Sequence, residues 1–142
     1  MKRKIAAVAA VLLALCWVLG GCGKSNPDIN YNDVDRYMFE TDAAFQAVLE
    51  ENGLTYQSAN NTVEQYASIK QHLREEDVYV YCHVLGTVEA DKICVVFGYA
   101  DLDDYLTQHG YVDGDGNPSW EAWREAAYIW MTQEMAQRNA EP

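Results

Sequence analysis

The sequence predicts an α+β domain, a small antiparallel sheet built on one β-hairpin and packed against three or four helices. Val78 to Leu85 is dense in β-branched and aromatic residues, and a second such run spans Ile93 to Tyr99 after a short connection. Segments 33–52, 62–74 and 118–138 instead repeat their apolar residues at helical spacing. A chain of 142 residues is long enough for one domain with a core of its own.

The elements follow in order. Asn32 is the expected cap of the first helix, with Asp33 and Asp35 in a first turn where carboxylates favour the helix dipole. Val34, Met38, Thr41, Phe45, Val48 and Leu49 form its apolar stripe, and Asn52-Gly53 supplies the stop. Leu54 to Gln57 reads as a short third strand. Thr62 with Gln65 is a capping-box pattern opening a second helix through Val63, Tyr66, Ile69 and Leu73. Glu75-Glu76-Asp77 reads as a solvated acidic corner before the hairpin. Asp101 or Asp103 caps a short helix through Leu102, Tyr105 and Leu106, closed by His109-Gly110. After a turn-rich loop, Asn117 as cap and Pro118 at the first helical position open the last helix. Its stripe is Trp120, Trp123, Ala127, Trp130, Met131 and Glu134, a spacing that suits a buried helix face.

The N-terminal stretch carries an address. Lys2, Arg3 and Lys4 precede an apolar run from Ile5 to Leu19, shorter than the about 20 residues that a membrane-spanning helix needs. Such a run fits the apolar core of a signal peptide. Leu19-Gly20-Gly21-Cys22 then resembles the lipobox of bacterial lipoproteins: an apolar residue, two small ones and a cysteine. The resemblance covers residues 1–22 and implies that the Cys22 thiol takes a diacylglycerol thioether, with cleavage just before it. Two or more acyl chains, at about 0.8 kcal/mol per buried methylene, hold a domain stably at a membrane. The implied organisation is a signal peptide over 1–21, a lipidated cysteine and flexible tether over 22–31, one domain over 32–138, and a frayed tail over 139–142. The implied location is the extracytoplasmic face of the cell membrane.

Charge narrows the partners. The chain has a formal charge of −12, and loss of residues 1–21 with Lys2, Arg3 and Lys4 leaves 121 residues near −15. So acidic a domain is repelled by nucleic acid and by an anionic membrane surface. The excess suits a cationic partner, although acidity also serves plain solubility.

Two of the four cysteines, Cys82 and Cys94, remain in the expected domain once Cys16 leaves and Cys22 is lipidated. Register decides their pairing. A hairpin turn at Ala90-Asp91 places Cys82 and Cys94 on opposite faces, whereas a loop centred on Val88 sets them opposite each other, where a disulfide is feasible. Two buried free thiols are the alternative.

Among chemistry-bearing motifs, Asp113-x-Asp115-x-Asn117 offers alternating oxygen ligands suited to calcium, with Glu121 further on. It resembles the start of an EF-hand loop. The pattern then departs, with Pro118 where glycine belongs and Arg124 where the bidentate glutamate belongs. Asp, Gly and Asn also fill turns for backbone reasons alone. No GxSxG, SxxK or HExxH motif is present, and no Cys/His cluster spaced for zinc. The expectation is a non-catalytic, membrane-anchored interaction module for a protein partner. The alternative is a small-ligand or cell-wall carbohydrate module using tryptophan and tyrosine side chains, with the ten tyrosines able to line a cleft.

Overall fold

The computed structural model describes residues 26–56 and 60–142. The Cys22 lipobox and the residues before it lie outside the described residues, as does Gln57 of the expected third strand. Among the described residues there are six α-helices: α1 (Tyr31–Glu51), α2 (Val63–Ser68), α3 (Val78–Leu85), α4 (Thr87–Phe97), α5 (Leu102–Gln108) and α6 (Trp120–Ala140). Two 3-10 turns, Lys70–His72 and Glu75–Asp77, bridge α2 to α3. The expected α+β class is therefore corrected to all-α: the described residues contain no strand, only an isolated bridge between Val112 and Pro118.

Both halves of the expected hairpin are helical. For the first half, the reason is burial at six of its eight positions, with only His83 exposed. Val78, Tyr79, Val80, Tyr81, Cys82 and Leu85 are all buried, so α3 shows neither the period of an amphipathic helix nor that of a half-exposed strand. Strand propensity spans only about 1 kcal/mol and yields to tertiary packing. The acidic 3-10 turn at Glu75–Asp77 leads straight into α3, where negative charge favours a helix N-terminus. Gly86 alone separates α3 from α4, at φ 88° and ψ 170°, a conformation that strains any residue with a Cβ. Gly98, left-handed at φ 102°, ends α4 while Tyr99 N–H returns to the Cys94 carbonyl at 3.0 Å.

Long helices α1 and α6 pack on each other, α3 packs against α1 and α4, and α4 packs against α2 and α5. On α1 the fully buried positions are Val34, Tyr37, Phe45 and Leu49, so Tyr37 belongs to the stripe while Met38 and Val48 sit at its margin. Its cap is Asn30, two residues earlier than expected, and Asn30 N–H also donates to Thr132 Oγ1 of α6 at 3.0 Å. The Thr62–Gln65 capping box forms as expected. Ser119 rather than Asn117 caps α6, accepting from Ala122 N–H at 3.2 Å.

Among the described residues, carboxylates are buried in two places, Asp77 and Glu89. Glu89 of α4 is 1% exposed and accepts from Tyr66 Oη at 2.7 Å and from Lys92 Nζ at 2.5 Å. Lys92 also donates to the Asn61 carbonyl at 2.8 Å, tying α4 to the approach of α2. Asp77 is held by the Tyr37 hydroxyl and by Arg74, 3.8 Å away, and burial pushes its carboxyl above the ordinary carboxylate value. Among the described residues, no helix is long and apolar enough to cross a membrane.

Candidate functional site

Three chain segments converge on a cleft of about 330 Å³. Its first side is the 3-10 turn that presents Glu75 and Glu76. The second is the end of α5 and the residues beyond it. Asp101 caps α5 by accepting from Asp104 N–H at 2.8 Å, and the helix stops at His109-Gly110, with Gly110 at φ 77°. Tyr105, His109 and Tyr111 enter the cleft from here. The third side is α6, where Trp123, Ala126, Ala127 and Trp130 recur at steps of three or four residues and share one face. Two alanines between two tryptophans leave the depression open.

The turn at 113–117 delivers α6 to this position. Asp113 N–H donates to the Asn117 carbonyl at 2.8 Å, Val112 bridges Pro118, and Ser119 N–H donates to the Tyr111 carbonyl at 2.8 Å. Asp113 accepts through Oδ1 from the N–H groups of Asp115 at 2.8 Å and Asn117 at 3.0 Å. These donors hold its carboxyl below the ordinary value. A calcium ion on Asp113, Asp115, Asn117 and Glu121 would have to compete with them. Among the described residues, no three His, Cys, Asp or Glu side chains gather closely enough to hold a metal ion.

At the mouth of the cleft, Glu75, Tyr99 and His109 form a closed triangle. The Tyr99 hydroxyl donates to Glu75 Oε1, and His109 Nε2 lies 3.0 Å from that oxygen and 2.9 Å from the Tyr99 oxygen. With the phenolic hydrogen spent on Glu75, both neighbours offer acceptors, which assigns the hydrogen to Nε2. The bond to Glu75, with burial second, pushes the Tyr99 phenol up to about 12. His109 stacks on Tyr111 with ring centroids 5.8 Å apart and planes 9° from parallel, and lies 4.4 Å from Tyr105. Tyr105 meets Trp123 edge-on at 5.8 Å. Burial raises the phenols of Tyr105 and Tyr111. The described lining thus comprises four aromatic rings, two carboxylates and one imidazole, and includes no Ser, Thr, Cys or Lys to act as a nucleophile beside His109.

Other residues singled out from the sequence are scattered. Cys82 of α3 and Cys94 of α4 are buried free thiols, each pushed up to about 12, chiefly by burial. Both lie on helices, so neither hairpin register exists in this fold. Cys82 and its neighbour His83 form no nucleophile dyad, because adjacent residues on a helix diverge: Cys82 is buried and His83 exposed. Of the tryptophan stripe, Trp123 is 2% exposed, Trp130 is partly buried in the cleft, and Trp120 is 39% exposed in a separate depression beside Asp101 and Pro118. Sequence reasoning missed Glu75, Glu76, Tyr99, Tyr105, His109 and Tyr111 as a group. Their separations along the chain, 34 residues between Glu75 and His109, leave no local pattern to find.

Comparison with protein-family models, curated proteins and solved structures gave no match for this chain.

Proposed function

We propose that the protein is a lipid-anchored binding module on the extracytoplasmic face of the membrane, and that the cleft between the Glu75 turn, α5 and α6 is its ligand site. The carrying observation is the convergence of two tryptophans, two tyrosines, one histidine and two glutamates from three distant segments around about 330 Å³. That volume lies within the about 300–1,000 Å³ of small-molecule sites, and the lining has their usual make-up of aromatic walls with few polar groups. The reading is binding rather than catalysis, since the one imidazole is committed to Glu75 and Tyr99. The anchor rests on Cys22 and the lipobox resemblance.

Two measurements test it. Metabolic fatty-acid labelling should disappear in Cys22→Ser, and labelling that persists would remove the anchor. Titration of the detergent-solubilised protein with small ligands and cell-wall fragments should shift tryptophan fluorescence. Trp130→Ala should abolish that shift while helix content is retained.

A second reading, docking of a cationic protein, is favoured by the expected charge near −15 and by the exposure of Phe39 (74%) and Val88 (67%). Crosslinking in the native membrane followed by mass spectrometry tests it. One dominant captured chain whose binding weakens as salt rises is the expected result.

A further inference from the structure

We infer that the cleft selects an organic cation carrying an ammonium group, an inference that rests on the cleft being a binding site. The partly buried rings of Trp130 and Tyr111, backed by the buried rings of Trp123 and Tyr105, stand beside the carboxylates of Glu75 and Glu76. Aromatic walls with carboxylates are the combination that holds ammonium groups, because both attract positive charge and the rings add apolar contact for the carbon substituents. The protein already uses one of these rings that way: the Arg74 guanidinium sits 6.0 Å from the centre of the Trp130 ring.

Arg74 does not neutralise the site. Its charge is shared with Glu134 at 3.5 Å, Asp77 at 3.8 Å and Glu76 at 3.9 Å, so the carboxylates around the guanidinium outnumber it. His109 faces Glu75 and Tyr99. Glu76 is exposed, with the 3.9 Å approach of Arg74 as its ion pair, and is the carboxylate freest to meet a ligand. An anion would meet two glutamates. A neutral sugar would gain the ring faces but leave the charge unused.

The ammonium group has two sources, a small free cation or a lysine side chain on a peptide, and the test separates them. The full-length protein in detergent micelles is titrated with choline, with choline's uncharged carbon isostere, with tetralysine and with cell-wall oligosaccharide, following tryptophan fluorescence. Choline or tetralysine should bind, the isostere should bind at least about tenfold more weakly, and Glu76→Gln should weaken the cation about tenfold. The tighter of the two cations names the source. Trp130→Ala should abolish the response, with circular dichroism confirming that both variants keep their helices. Tetralysine binding untouched by Trp130→Ala would be surface electrostatics and would overturn the inference. Equal binding of choline and its isostere, or binding of oligosaccharide alone, would overturn the cation while leaving the binding module intact. Silence from every probe would overturn both.

Discussion

Replacing Lys92 by methionine should unbalance the most deeply buried charge described. Glu89 is 1% exposed, and its carboxylate keeps two partners, the Tyr66 hydroxyl and the Lys92 ammonium. Methionine preserves the apolar stem of Lys92 but removes the counter-charge, and it strips the Asn61 carbonyl of a donor at 2.8 Å. Removing one partner of a buried ion pair costs about 3–5 kcal/mol. The Lys92 side chain is 28% exposed and Tyr66 stays in place, so the lower end, about 3 kcal/mol, is expected. Adding Glu89→Gln removes the orphaned charge and keeps an acceptor for Tyr66, which should bring the loss back to about 1 kcal/mol. Urea unfolding followed by circular dichroism measures both. A Lys92→Met variant within about 0.5 kcal/mol of the parent would refute the claim that this pair holds a buried charge in balance.

Trp123→Ala should cost about 3–5 kcal/mol, because it removes a 2% exposed ring packed edge-on against Tyr79 at 4.9 Å and Trp120 at 5.0 Å. A near-neutral effect in thermal unfolding would place that ring at the surface. Cys82 and Cys94 should resist a thiol-labelling reagent at neutral pH in the native protein, and two thiols should react after denaturation if Cys22 is lipidated and Cys16 removed as proposed. One mass measurement per state decides this. Folded thiols near 12, against about 8.5 unfolded, contribute stability that is complete below the unfolded value and lost as pH rises toward the folded one. The raised phenols of Tyr66, Tyr79 and Tyr105 act in the same direction, so unfolding should set in between roughly pH 9 and pH 12 and track tyrosinate absorbance. Asp113→Ala should loosen the turn that leads into α6 and lower stability by about 1 kcal/mol, read as a fall in melting temperature.

By itself the sequence determined what depends on short range. The 62–65 capping box, an aspartate cap at Asp101 or Asp103 (Asp101 in the structure), the Gly-terminated short helix and the two long amphipathic helices are written in spacings of three or four residues, and the structure carries them. The acidic charge is likewise a property of composition. Tertiary structure alone decided the state of residues 78–99. With only His83 exposed, α3 has too small a polar face to betray its period, and its valines and tyrosines satisfy helix and strand patterns alike until neighbours are placed around it. That one decision turned an expected hairpin into two helices joined at Gly86 and put Cys82 and Cys94 on packed helices. The cleft was hidden for the same physical reason. His109 is the helix end it read as, whereas of the expected solvated corner Glu75-Glu76-Asp77 only Glu76 is exposed: Asp77 is buried and Glu75 is partly buried and bonded to Tyr99 and His109. Only the packing of α5 and α6 against the Glu75 turn brings a carboxylate, an imidazole and a phenol within 3.0 Å of one another beside two tryptophans.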